Sequence, residues 1–293
     1  MNILITGTSG FIASKLAKRL TELNHKVIGI DKNPKGEFTS HVFDISDKDF
    51  LKYNFGQIDI IFHLAAQSGG YMSLKDPYID SLWNSVGTAN MITLAKNNQI
   101  KKFVFISSMA IYGNAVLVTE KTPPNPISFY GVSKYTGELQ TKLLYEHQRI
   151  NYSIFRLFST YGSGQDLENK HQGILSIYLK QILEGDKIKI TGAKNRTREV
   201  IHVKDVIDAL LFSLDSRTDN NIYNLTNSQT ITPELIINEI SKQLNKKVEI
   251  IEIDGYEGDQ THITSHRSLL FELGWKPKYN LVDGVKEFIN NLK

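Results

Sequence analysis

Through the first two thirds of the chain, short runs rich in β-branched and aromatic residues alternate with longer amphipathic stretches, the pattern of parallel strands joined by crossover helices. Strands are predicted at 2–6, 26–30, 41–43, 59–63, 102–107 and 152–158, most of them apolar enough to be covered on both faces. Helices are predicted to start near Gly10, Pro77 and Phe129. Beyond Gly162 the pattern is mixed, with short strands around 187–191, 222–225 and 247–252 between helices near 172–183, 203–214 and 233–244. The expectation is an α/β chain in which a doubly wound parallel sheet (1–161) is followed by a smaller mixed α/β lobe (162–293), with segments around 198–214 returning to the first unit. Ligands of such open sheets bind outside the carboxyl ends of the strands, which is where function is to be sought.

Composition narrows the chemistry. The sequence has no cysteine, so disulfides, thiolate metal sites and cysteine nucleophiles are excluded, and no metal site is expected. A net charge of +3 without a dense basic block argues against nucleic acid. No segment approaches the roughly 20 uninterrupted apolar residues of a membrane span, and the N-terminus has neither a basic start nor a signal-peptide core. The cytoplasm is the expected location.

The run Gly7-Thr8-Ser9-Gly10-Phe11-Ile12-Ala13 follows the first strand and opens a helix, the context of a phosphate-binding turn in a Rossmann-type domain. Glycines permit a tight turn and close backbone approach, and the free N–H groups at the helix start attract a pyrophosphate. Asp31 comes immediately after the second strand, where a carboxylate accepts hydrogen bonds from both ribose hydroxyls and repels a 2′-phosphate. NAD is therefore expected rather than NADP, with neighbouring Lys32 softening the discrimination. After the third strand, Asp44 and Ile45 are placed to meet the adenine amino group and cover its ring, although Asp44 also reads as a helix cap before Ser46 and Asp47. Leu64, Ala65 and Ala66 after the fourth strand let a flat cofactor pass close to the backbone; simple packing accounts for them as well.

Tyr130 and Lys134 stand four positions apart, hence on one helix face. A phenol with its ordinary pKa near 10 is a poor base at neutral pH, and a nearby cation favours its ionised form. Tyr130 is thus a candidate to exchange a hydroxyl proton while hydride passes between carbon and nicotinamide, with Lys134 also holding the nicotinamide ribose. Ser108, just after the fifth strand, offers a hydroxyl to the same substrate oxygen. A lone Tyr-x-x-x-Lys pair is usually a surface pair; here the glycine turn, the serine and the pair converge on one sheet edge.

With these motifs the chain resembles the extended short-chain dehydrogenase/reductases, in particular the NAD-dependent epimerase/dehydratase branch acting on nucleotide sugars. Further motifs carry the resemblance: Asn84-Ser85-Val86-Gly87-Thr88, Phe105-Ile106-Ser107-Ser108 through Ile111-Tyr112-Gly113, Arg156-Leu157-Phe158, Arg198-Glu199-Val200-Ile201-His202-Val203 and Leu273-Gly274-Trp275. The resemblance implies Ser108, Tyr130 and Lys134 as a catalytic trio and a homodimer through the helices near 80–96 and 130–147. It adds Ser107 and Phe158 to the cofactor residues Gly7, Gly10, Phe11, Ile12, Asp31, Asp44, Ile45, Leu64, Ala65, Ala66, Tyr130 and Lys134. On the substrate side it implies Ser68, Ser108, Met109, Ser159 and Arg198.

Departures from the family pattern bear on the reaction. Ala13 stands at the usual third glycine and still permits close packing. Met109-Ala110 follow Ser108 where the 4,6-dehydratases resembled carry an Asp-Glu pair; elimination of water needs an acid and a base there, so a dehydratase is disfavoured. Ser159 replaces a usual Asn, and Tyr256, in Tyr256-Glu257-Gly258-Asp259, stands where an arginine usually clamps phosphate. Arg198, after Gly192 and Arg196, becomes the main candidate pyrophosphate ligand, with Arg267 and His266 as substitutes, His266 reading better as a surface residue. Ser265 is expected to cap the helix that runs to Leu273. The expected activity is NAD-dependent epimerisation of a nucleotide sugar at C4 through a transient 4-keto intermediate. The alternatives are a 4-keto reductase or C4 dehydrogenase of a deoxysugar nucleotide and a non-catalytic dinucleotide sensor.

Overall fold

The first strand, β1 (Asn2–Thr6), is fully apolar from Ile3 to Ile5 because both of its faces are covered. The computed structural model describes residues 1–293 except Pro34, Lys170, Gln172, 256–261, Arg267 and Lys293. After β1, helix α1 (Phe11–Glu22) buries Ala13, Leu16, Ala17 and Leu20 at helical spacing. Then come β2 (Lys26–Asp31), β3 (His41–Val42) and β4 (Ile60–His63). Helix α2 (Gly70–Lys75) leads to α3 (Pro77–Ser81), whose N-terminus is capped by the Asp76 carboxylate accepting from the Ile79 N–H. A π-helical turn (Leu82–Val86) joins α3 to α4 (Gly87–Asn97). Strand β5 (Lys102–Ser108), the short β6 (Leu117–Val118), helix α5 (Phe129–Gln148) and β7 (Asn151–Leu157) follow. Ser128 caps α5 by accepting from Gly131 N–H, and Arg149 ends it in a left-handed conformation with φ 57°.

The remaining elements are β8 (Ser159–Tyr161), α6 (Ile174–Glu184), β9 (Lys187–Thr191), β10 (Arg198–His202), α7 (Val203–Phe212) and β11 (Asn221–Leu225). They continue as β12 (Thr230–Ile231), α8 (Pro233–Gln243), β13 (Glu249–Ile253), β14 (Thr264–Ser265), α9 (Leu269–Glu272) and α10 (Leu281–Asn290). Among the described residues the main sheet is parallel and seven-stranded, ordered β11-β7-β5-β4-β1-β2-β3. The order reverses beside β1, between β4 and β2, which opens a crevice at the carboxyl ends there.

Alternate residues of the central strands feed two cores. Ile3, Ile5, Phe62, Val104, Ile106 and Phe155 pack with α1 and α7 on one face. Leu4, Ile61, Phe103, Phe105 and Ile154 pack with α4 and α5 on the other. Helix α5 lies close on β5 because Gly137 has no side chain; a Cβ there would stand 2.4 Å from Phe105 Cζ. A third core joins α6, α8, α10, β9 and β10 through residues such as Leu179, Ile190, Ile237 and Phe288.

Two expectations are corrected here. The strand at 222–225, read as part of the second lobe, is the edge strand β11 of the main sheet, in register with β7 from Asn221↔Ser153 to Leu225↔Leu157. Its local pattern is that of any short strand, and only pairing decides its sheet. Ser265 caps no helix: it lies in β14, its N–H and hydroxyl donating to the Glu199 carboxylate, while Ser268 caps α9 by accepting from Leu270 N–H. Strands β8, β10 and β12, which form a separate three-stranded sheet, escaped the sequence pattern because each is short and rich in polar residues. Helix α7, from the returning segment, packs on α1.

Buried polar groups lock the strand ends. Thr88 Oγ1 donates to Asn84 O, so His63 Nε2–H must donate to Thr88 Oγ1 (3.0 Å) and His63 Nδ1 must accept from Thr6 Oγ1 (2.8 Å). Thr6 Oγ1 in turn accepts from the N–H groups of Leu64 and Ala65. The chain of bonds requires a neutral ring, and burial brings His63 down to about 3, with the Lys134 charge adding to the effect. Next to it, Arg156 and Glu138 form a buried pair, Nη2 to Oε2 at 2.8 Å and Nε to Oε1 at 2.9 Å. Ser107 also donates to Glu138 Oε1, and Arg156 Nη1 donates to the Tyr112 hydroxyl and to Glu120 O.

The His63 contribution to stability is full above the unfolded value near 6.5 and is lost as pH falls from there toward the folded value of about 3. Between pH 6.5 and 5 this removes about 2 kcal/mol. Urea unfolding at the two pH values should show the loss in the wild type and a shallower slope in His63→Gln; equal slopes would mean that the ring is not held neutral. Glu138→Ala leaves Arg156 buried without a counter-charge and is expected to cost about 3–5 kcal/mol. Replacing both partners, Glu138→Leu with Arg156→Met, should recover a large part of that loss in the same assay.

Candidate active site

A cavity of about 1360 Å³ runs along the carboxyl ends of β1, β2, β4, β5 and β7 and is roofed by the second lobe. It is lined by all the expected catalytic, cofactor and substrate residues except Lys134, which is buried at 5% exposure; His266, offered as a substitute phosphate ligand, is also absent from it.

At one end lies the glycine turn. Gly7 adopts φ +78°, and a Cβ there would meet the Ala65 N and Cα at 3.0 Å, so the loop after β4 presses directly on the turn. No side chain caps α1 at Gly10, and among the described residues the N–H groups of Phe11, Ile12 and Ala13 carry no hydrogen bond. Three free donors at the start of a twelve-residue helix fit a pyrophosphate, and they open onto the cavity. Asp31 is held in place by Ser9 N–H on Oδ2 (2.9 Å) and Asn33 N–H on Oδ1 (2.8 Å), its carboxylate facing the same space. Asp44 differs from the expectation in part: its Oδ1 accepts from both the N–H and the hydroxyl of Ser46, and Asp47 rather than Asp44 caps the 3-10 turn that follows. Ile45 is buried and lines the cavity close to Gly87, where a Cβ would come within 2.8 Å of its Cδ1. These features together fit a dinucleotide: Gly7, Gly10, Phe11 and Ile12 could hold its phosphates, Asp31 a ribose, and Asp44, Ile45, Leu64, Ala65 and Ala66 line the same cavity.

In the middle of the cavity, β5 and α5 bring Ser108 and Tyr130 to one wall. Ser108 Oγ accepts from Ala110 N–H at 3.1 Å. Burial pushes the Tyr130 phenol up to about 12, hydrogen bonding by Ser108 opposes this, and the Asp80 charge adds to it. Burial is thus the largest influence on the phenol, and it acts opposite to the effect expected of Lys134. Lys134 itself is brought down to about 8 by burial, against the pull of Asp80 and Glu138, and its Nζ rests 4.5 Å from the centre of the Phe105 ring. Ser107 lines the cavity but donates its hydroxyl to Glu138, so it faces a ligand with backbone rather than side chain. Phe158 is buried at the nearby wall.

The other end belongs to the second lobe. Ser68, Met109, Ser159 and Arg198 all reach it. Arg198, 5% exposed, donates from Nη1 to Thr197 O, and Arg196 stands beside it in the lining. Tyr256 to Asp259 and Arg267 lie outside the described residues, and His266 is absent from the lining. Sequence reasoning missed Trp83, Tyr71, His171, Lys189 and Thr191 in the lining. None follows a strand of the main sheet directly, and no motif marks them. It also missed Asp80, fully buried behind the trio, whose Oδ1 accepts from Asn84 Nδ2 at 3.1 Å.

The model of the NAD dependent epimerase/dehydratase family matches residues 3–226. A putative UDP-glucose 4-epimerase of Methanocaldococcus jannaschii is 34% identical over 99% of this chain and 98% of its own length. Among solved structures, the UDP-glucose 4-epimerase of Thermotoga maritima, determined with UDP-glucose, superposes with a TM-score of 0.94 at 28% identity, covering 99% of this chain and 98% of that one. The UDP-N-acetylglucosamine 4-epimerase of Methanobrevibacter ruminantium, in complex with UDP-N-acetylmuramic acid, gives 0.89 at 27% identity over 99% of both chains. With a glycine turn free to take a pyrophosphate, an acid at the ribose position and Ser108 facing Tyr130, the chain belongs to the NAD dependent epimerase/dehydratase family.

Proposed function

We propose that the protein is a cytoplasmic NAD-dependent 4-epimerase of a nucleotide sugar. The observation that carries this is the wall formed by Ser108 and Tyr130 between the dinucleotide end of the cavity and the arginine-bearing second lobe. Met109 and Ala110 follow Ser108 there and bring neither acid nor base at those positions, which disfavours elimination of water. The resemblance to 4-epimerases over nearly the whole chain supports the same reading.

Ser108 and Tyr130 hold the sugar O4 between two hydroxyls. Tyr130 takes the O4 proton as the C4–H pair leaves, giving the 4-keto sugar, and returns it when hydride comes back to the opposite face of C4. NAD, held by the glycine turn and Asp31, would supply the hydride acceptor and donor, and its positive charge would favour the ionised phenol that burial opposes. Lys134, with no hydrogen-bond partner among the described residues, is the candidate to hold the nicotinamide ribose, although it does not itself line the cavity. Arg198 and Arg196 line the cavity at the second lobe and are candidates to bind the substrate diphosphate.

The apolar stripe on α5, Phe129, Val132, Leu139 and Leu143, is 45–50% exposed, and Tyr78 on α3 and Val86 in the π-helical turn are exposed as well. This stripe supports a homodimer through these helices. No helix among the described residues is long and apolar enough to cross a membrane.

The first test is to release and identify the nucleotide bound to fresh protein, then to offer UDP-, dTDP-, GDP- and CDP-sugars with and without NADH or NADPH. Epimerised product without net cofactor change is expected; stoichiometric oxidation of reduced cofactor by a 4-keto sugar would make the enzyme a reductase. Tyr130→Phe should lower kcat about 10²–10⁴-fold while leaving NAD binding measurable by calorimetry. Unchanged turnover in that variant would remove Tyr130 from the chemistry. Because the Lys134 ammonium is present below about pH 8 and lost above it, NAD affinity should fall from pH 7 to 9, and Lys134→Met should flatten that dependence.

A further inference from the structure

Next to Asp31 the chain carries a cation, Lys32, at a position from which it could pair with a 2′-phosphate. Lys32 and Asp31 both line the cavity, but the Lys32 ammonium rests on an aromatic ring. It lies 2.9 Å from the centre of the Trp83 ring, which the π-helical turn between α3 and α4 projects into the lining near Phe43, Asp44 and Ile45. A cation on an indole face is held by the ring quadrupole, most strongly where water is partly excluded. Burial lowers the Lys32 pKa, while Asp44 and Asp31 act to raise it, in keeping with an ammonium drawn against the ring between two carboxylates. Asp31, meanwhile, is fixed by Ser9 and Asn33 and keeps its negative charge toward the cavity.

We propose that Trp83 is a cofactor-specificity residue: by clamping the Lys32 ammonium on its ring it withholds a neighbouring cation that could offset Asp31, and so disfavours NADP. The two residues act as a unit. Lys32 supplies a latent phosphate contact, and Trp83 keeps it latent. The inference rests on Asp31 meeting the ribose of NAD, and its test separates the two ideas.

Calorimetric binding of NAD and of NADP is measured for wild type, Trp83→Leu, Trp83→Phe, Lys32→Ala and the double variant Trp83→Leu/Lys32→Ala, with circular dichroism as the check on folding. Freed from the ring, Lys32 is expected to shift the NADP-to-NAD affinity ratio of Trp83→Leu toward NADP about tenfold. Trp83→Phe, which keeps a ring of weaker cation affinity, should shift it less, and the double variant should return the ratio to that of Lys32→Ala alone. Equal weakening of both nucleotides in Trp83→Leu would make the ring a mere wall of the cavity and overturn the proposal. A shift that persists in the double variant would overturn it too, because the responsible cation would not be Lys32. If wild type binds neither nucleotide, the dinucleotide reading itself fails and takes the proposal with it, whereas tight NAD binding with an unchanged ratio in every variant overturns the proposal alone.

Discussion

The buried ion pair between Arg156 and Glu138 sets the geometry on which the rest of the site depends. Glu138 sits on α5 one turn beyond Lys134, and Arg156 sits near the end of β7, so the pair fixes the helix against the sheet. Through Ser107 the same carboxylate holds the end of β5, which places Ser108 opposite Tyr130. Through Arg156 and the Tyr112 hydroxyl it reaches Asn224 on β11. Two buried charges are costly to desolvate, and such a pair is weak evidence for stability in itself. Here each carboxylate oxygen and each guanidinium nitrogen has a partner, so the arrangement is specific: it admits one spacing between strand and helix.

A second lock acts one strand further along. The bonds from Thr88 through His63 to Thr6 and on to the N–H groups of Leu64 and Ala65 bring the loop after β4 against Gly7. The narrow gap between turn and loop is thus a product of polar groups buried under it, and the free donors of α1 open beside it. The hydrophobic cores on both sheet faces supply the drive to fold, while these polar chains decide where the strand ends stand relative to one another. Function follows from those strand ends.

The site is tuned by burial as much as by charge. Tyr130 is raised and Lys134 lowered chiefly by loss of water, so burial favours a neutral phenol and a weakened cation. A positive charge supplied at the dinucleotide end would act in the opposite sense on the phenol.

The sequence by itself determined the doubly wound sheet, the glycine turn, Asp31 at the end of β2 and the Tyr130/Lys134 pair on one helix, because each is encoded over a few consecutive residues. Periodicity reports burial, a glycine reports backbone shape, and a spacing of four reports a helix face. Tertiary structure alone decided that the strand at 221–225 joins the main sheet, that Ser265 serves Glu199 instead of a helix, and that Trp83 meets Lys32. These are pairings between residues far apart in the chain, and no local pattern states which partner a short strand or a buried carboxylate will find. The Tyr130 phenol shows the same division: its place on the helix was legible in four letters, but its proton affinity depends on how much water the packed chain excludes from around it.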